Sequence, residues 1–455
     1  MSRLLIGAML STLCGCAPGD GLAPGADGLR LPTGLAIGPG ARSLFVTNGD
    51  WDQKEDSSTL VRIDLQRFED AVARPMPPGS VVDGVDPCRR LDDDLRVECA
   101  LSVLIDDEQT VRLGRGAGNI AVDFPKDQDT AYRLLIPTRI EPSVVWVDVV
   151  VDGRGSTRVD CGQGPDRFCD AAHTLGNIGP QPAMIRVDGG AFRFAYLPHL
   201  LGRKLTLIAL DGVFGPERVD EAPEFFRNDP LHDSGLGGGF AVAQRACDVA
   251  AGNAPVATLE CERPYLYATH RFWWGLRAFR VAPGRDQILA GGNVAVLGTS
   301  VAGAQPRPIM GDAEFEDPQT GHRLLVVHTT PPALSRVDTG LDEVGNTKND
   351  LMGSVSVCNN PNMLEIYRAE LGPDFAFVSC YGAAEVLAVD LEIFAVVAAI
   401  DVGAGPNEMV VDATRRWLYV ANTLDHTISV VDLRREAATY MREFAVLGLG
   451  RALPE

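Results

Sequence analysis

Three histidines, two adjacent tryptophans, an arginine and a glutamate recur at the ends of short apolar stretches, where a repeated fold would gather them into one place. His199 and His270 each close a β-rich run, residues 194–199 and 266–270. His328 stands one position before the end of 324–329. Asn48, Thr138, Cys380 and Asn422 end the comparable runs elsewhere. Just beyond them come Trp51, Arg139, Glu141, Arg271, Trp273, Trp274 and Tyr381, while Asn119, Asn362 and Glu408 stand where preceding runs begin. Imidazole, guanidinium and carboxyl groups suit proton transfer and stabilisation of a developing oxyanion. Exposed indoles suit stacking on a sugar ring or docking of a protein. Each residue also has a plainer use, because a terminal Asn or His caps a turn and the tryptophans can lie beneath an insertion.

Established catalytic signatures are absent. The chain has no GxSxG, HExxH, phosphate-binding loop or dinucleotide fingerprint. His232, Asp233 and Ser234 are adjacent, but adjacency does not make a triad. The equivalent positions of His199 and His270 raise the idea of a metal pair. No third ligand is fixed by spacing, so no metal and no cofactor are expected.

The elements that position these residues form a repeat. The last unit runs through Gly405 to Asp412, Trp417 to Asn422 and Thr427 to Asp432, three short β-rich stretches with polar turns between them. The preceding unit repeats the order and closes on Asp390, 42 residues before Asp432. That period is the one expected of a four-stranded propeller blade. Closing aspartates also follow apolar alternation at Asp64, Asp148, Asp211 and Asp338, whereas one unit ends Ala278-Phe279-Arg280. Seven units result, and the recurrent aspartate is expected to accept backbone N–H bonds in the turn after the third strand.

Phe45-Val46-Thr47-Asn48 and Tyr419-Val420-Ala421-Asn422 resemble the YVTN motif of bacterial surface and periplasmic seven-bladed propellers, a group similar to the lactonase-like propellers. The resemblance implies an all-β, seven-bladed propeller of four-stranded antiparallel blades over residues 29–449. Insertions are expected near 66–108, 151–176, 213–235 and 341–357, with a short tail at 450–455. In such a fold the strand-two ends and strand-one starts share a rim. The candidate ligand face is therefore Asn48, Trp51, Arg139, His199, His270, Trp273, Trp274, His328, Tyr381 and Glu408.

Arg3 and the apolar run 4–13 precede Leu13-Cys14-Gly15-Cys16, which resembles a bacterial lipobox with Cys16 as the lipidated residue. Residues 1–15 are then a signal peptide and 16–28 a tether, because ten apolar residues are too few to span a bilayer, which needs about 20. The implied address is the cell envelope, lipid-anchored, with outer-membrane sorting. Eight of the ten cysteines remain, an even number that reads as disulfides in an exported chain. Local pairing gives Cys88–Cys99, Cys161–Cys169, Cys247–Cys261 and Cys358–Cys380.

The 455 residues are 45% hydrophobic and 22% charged, which is ordinary globular composition. A net charge of −20 argues against nucleic acid as a partner. Two functions are expected from these features. One is a monomeric, membrane-tethered, non-catalytic module binding an envelope protein, a small molecule or a glycan. The alternative is a lactonase-like hydrolase using Glu408, Arg139 and His270 at the axial mouth. An ionisable cluster with shifted pKa values in one axial pocket would favour the enzyme, and a broad aromatic surface would favour the binder.

Overall fold

The computed structural model describes residues 28–448, apart from 83–85, 92–94, 125–129, 154–155, 189–192, 228–236, 245–265, 272–274, 282–286, 296–308, 317–321, 341 and 344–345. Seven antiparallel sheets follow one another along the chain, each ordered from the axis outward. The innermost strands are Pro32–Ile37, Ala121–Asp123, Arg186–Val187, Gly239–Gln244, Ile309–Phe315, Pro361–Tyr367 and Pro406–Asp412. We number the blades one to seven in that order.

Burial explains why the middle strands read as unbroken apolar runs. Ser43–Asn48, Phe375–Cys380 and Trp417–Asn422 are buried at every position, because both faces of each sheet pack against neighbouring blades. Seven hydrophobic clusters lie between successive blades. One, containing Phe68, Trp417 and Tyr419, joins blade seven back to blade one. A fully buried Leu, Val or Phe contributes about 1.5–3 kcal/mol, so the closed ring is held mainly by these interfaces.

The recurrent aspartates serve as turn caps at several blades. Asp390 accepts from the backbone N–H groups of Glu392 and Ile393, and Asp432 from that of Arg434. Asp64 does the same at the start of the helix Leu65–Ala73. Asp148 departs from the rule and takes the guanidinium of Arg133 through both carboxylate oxygens.

Three segments expected to be insertions hold outer strands instead. Thr157–Asp160 and Thr174–Gly176 edge blade two, Glu217–Ala222 edges blade three, and Asp350–Ser356 edges blade five. These outermost strands are more polar and exposed than the inner three, so they do not announce themselves as strands. The fourth segment is a true insertion. It contains the helix and a hairpin, Cys88–Arg90 with Val97–Cys99, that adds to the outer edge of blade seven in parallel with Glu443–Leu447.

That hairpin acts as a clasp across the ring's ends. Among the described residues the four core strands of each blade follow one another in chain order, and none of them is exchanged to lock the first blade to the last. The insertion supplies the lock. Arg96 pairs with Glu443 at 2.9 Å, Glu69 with Arg415 at 2.8 Å, and Phe68 meets Trp417 edge-on at 5.8 Å.

The disulfides Cys88–Cys99, Cys161–Cys169 and Cys358–Cys380 are formed as expected. Cys247, Cys261, Trp273, Trp274, His232 to Ser234 and the whole leader with Cys16 lie outside the described residues. Among the described residues no helix is long and apolar enough to cross a membrane.

Candidate functional site in the axial channel

The innermost strands of blades four to seven share a local irregularity near their starts. Strand-one starts pair with strand-two ends, Pro361 with Cys380, Pro406 with Asn422 and Gly239 with His270. Two residues then bulge before regular pairing resumes at Leu364, Met409 and Val242. The fifth blade has the same two-residue bulge between Met310 and Ala313. Bulges re-aim side chains and are common beside active sites. Glu408 and Asp312 both occupy the second bulge position.

Residues at this level stitch one blade to the next. Asn119 of blade two donates to the carbonyl of Ile185 and accepts from its N–H, both at 3.1 Å. Asp312 accepts from Leu364 N–H at 3.2 Å, and Glu365 from Val411 N–H at 2.9 Å. Thr33, Thr329 and Thr423 donate to carbonyls of the following blade. Glu408 stands apart, because its Oε2 is buried without a hydrogen-bond partner.

These side chains line a cavity of about 280 Å³ in the axial channel. Asn119, Arg186, Asp312, Glu314, Glu365 and Glu408 supply its polar wall. Arg186 donates to Glu314 at 3.2 Å. Burial, reinforced by Glu314, pushes the Asp312 carboxyl up to about 7 against the pull of Arg186. Burial and Glu314 likewise push Glu365 up to about 8. Glu408 is held well above the ordinary glutamate range by burial and by the neighbouring carboxylates of Asp312, Glu365 and Glu314. Burial and mutual crowding thus shift the carboxyls of this channel toward their protonated forms.

Arginines occupy the rim. Arg139 donates through Nε to the carbonyl of Pro182 at 3.0 Å, with its guanidinium 5.1 Å from the Trp51 ring centroid. Arg271 lies over Phe240 at 5.5 Å. Burial and the nearby Arg271 lower Arg139 to about 10, with Glu408 opposing the shift.

The histidines expected on the rim are core residues. His199, His270 and His328 are all fully buried. His199 engages the Pro180 carbonyl and Thr206 Oγ1, both at 2.9 Å, and His270 packs edge-on against Phe226 at 5.5 Å. Burial holds His199 and His328 down to about 4 and His270 to about 3, so they are neutral imidazoles at physiological pH. Asn48 and Asn422 are buried turn caps bonded to Thr59 and Thr427. Tyr381 is half-buried, and burial raises its hydroxyl above the usual range. The expected trio therefore separates, with Glu408 and Arg139 within electrostatic reach and His270 inside its blade.

Arg186, Asp312, Glu314 and Glu365 escaped the sequence reading. Their signal was present as ionisable residues inside otherwise apolar innermost strands, such as Leu364-Glu365-Ile366. Among the described residues, one group of three metal-type ligands lies close together, Cys358, Cys380 and Glu385, and both of its thiols are consumed in a disulfide.

No protein family and no curated protein matches this chain. Solved structures do. A structural-genomics protein of Lactobacillus plantarum is similar with a TM-score of 0.50 at 12% identity, over 85% of this chain and 88% of that one. The periplasmic gluconolactonase of Pseudomonas aeruginosa gives 0.48 at 14%, over 83% and 87%. Hydrazine synthase of Kuenenia stuttgartiensis gives 0.48 at 12%, over 90% and 97%. At 12% identity the likeness to the Lactobacillus plantarum protein shows the fold alone, and function must be argued from the channel.

Proposed function

We propose that the protein is a hydrolase of the lactone or ester class working in the axial channel. The observation that carries this reading is Glu408, a buried carboxyl with a raised pKa and an unpartnered oxygen, lining a cavity shared with Asp312 and Arg186. A carboxyl held protonated at neutral pH can donate a proton that an ordinary glutamate has already lost.

The roles divide by chemistry. Asp312, titrating near neutrality, takes a proton from the attacking water as its oxygen bonds the carbonyl carbon. Arg186 faces the developing oxyanion. Glu408 delivers its proton to the ring oxygen as the carbon–oxygen bond breaks, so lactone and water give one hydroxy acid.

A purely binding role calls for a broad aromatic surface. Among the described residues Trp146 and Trp417 are buried, and Trp51 lies against Arg139. The chemistry favours the enzyme. In this proposal the work is done in an oxidising envelope compartment, which suits a chain with disulfides.

The test is hydrolysis of a panel of small lactones, followed by proton release. Glu408→Gln keeps the shape and removes the proton donor, so activity should fall about 10²-fold or more while the melting temperature holds. Turnover by Glu408→Gln at the wild-type rate, or no turnover of any lactone or ester by the wild type, would overturn the proposal.

A further inference from the structure

Two arginines at the channel mouth lack what buried guanidinium groups ordinarily have. Among the described residues, no carboxylate lies within ion-pair distance of Arg139 or Arg271, whereas Arg62, Arg336 and Arg415 are each paired with one. A partly buried cation without a carboxylate partner is free to take an anionic ligand, and planar guanidinium groups match carboxylate and phosphate oxygens through parallel N–H donors.

The two side chains lie near enough for each charge to be felt by the other, at the adjoining starts of blades three and four. Arg139 reaches across from blade two and is fixed by its bond to the Pro182 carbonyl. Pro182 bridges to His199, whose carbonyl accepts from Gly239 N–H at the start of blade four. Arg271 is tied to the same place, its backbone N–H donating to the Gly238 carbonyl at 2.8 Å. The approach there is so close that a Cβ on Gly238 would sit 2.0 Å from the Leu200 carbonyl oxygen, which fixes the backbone that carries Arg271. Trp51 and Phe240 each lie near one side of a guanidinium, and the terminal N–H groups remain for a ligand.

We propose that Arg139 and Arg271 form an oxyanion seat at the rim between blades two, three and four, taking the carboxylate or phosphate group of a small ligand whose remainder enters the channel. The inference deepens the hydrolase reading, on which it rests for the ligand being a substrate. The seat itself is testable without turnover.

Isothermal titration with inorganic phosphate and with acetate, at constant ionic strength and neutral pH, separates a tetrahedral from a planar preference. Wild type should bind at least one probe. Arg139→Gln and Arg271→Gln should each weaken it about tenfold, since each removes a charge-assisted hydrogen bond. Arg271→Gln removes no backbone-bonded side chain, so it carries the test alone if Arg139→Gln fails to fold. Binding of neither probe by the wild type, or unchanged affinity in folded Arg271→Gln, would overturn the seat. Probe binding with no lactone turnover would leave the seat standing while the hydrolase reading falls.

Discussion

The two walls of the axial channel are built on the inner parts of successive blades but carry opposite charge. Blades five to seven contribute Asp312, Glu314, Glu365 and Glu408, whereas blades two to four contribute Asn119, Arg139, Arg186 and Arg271. On the acidic wall the carboxyls crowd one another, and burial drives protons onto them. On the basic wall Arg186 crosses to Glu314, while Arg139 and Arg271 remain at the mouth. The comparison teaches that a repeat fixes where side chains point and leaves their chemistry free to differ blade by blade. Polarity across the channel, rather than any one residue, makes it a candidate site.

Blade one supplies no charged side chain to either wall, only Trp51 beside Arg139, and its insertion has a mechanical role. Serine at both Cys88 and Cys99 should release the clasp on blade seven. A bridge closing a loop of this size contributes about 3 kcal/mol, so urea unfolding should show a loss of that order. Lactone turnover at a temperature where the variant remains folded should be retained. Loss of turnover there would mean that the ring's seam shapes both walls, which would break the comparison.

A smaller effect should appear in the pH dependence of stability. Asp312 and Glu365 titrate higher in the fold than the ordinary 3.8 and 4.5 of their side chains, at about 7 and 8. In that interval these two groups hold protons in the native state that the unfolded chain has released, so their contribution to stability falls as pH rises from about 4 to 8. Asp312→Asn should flatten part of that slope and raise the melting temperature at pH 8 by a few degrees, about 1 kcal/mol in a protein of this size. A steeper slope in the variant would place the buried charge elsewhere.

The acidic wall was harder to read than the fold that carries it. Trp417 to Asn422 and Phe375 to Cys380 are buried on both faces, and such runs state their strand character in composition alone. The 22-residue loop to Cys380 was legible for the same reason, because antiparallel topology brings Cys358 beside it. Exposed outer strands such as Asp350–Ser356 have no such constraint, and they read as loops. Glu408 was visible as a polar residue at a strand start. Asp312 and Glu365 were hidden because their significance depends on meeting other carboxyls across an axis, and separations of 53 and 43 residues in sequence do not express that distance in space. His270 misled for the opposite reason, since its place at a strand end looked like a rim position and proved to be core beside Phe226.

The central claim is that the acidic wall keeps protonated carboxyls facing a basic wall at neutral pH. Infrared difference spectroscopy across a pH titration reads this directly, because a protonated carboxyl has a carbonyl stretch that a carboxylate lacks. Wild type should show that band at pH 7, losing it only on further alkalinisation, and Glu408→Gln should carry a measurably weaker one. A wild-type spectrum at pH 7 with every carboxyl ionised would contradict the account.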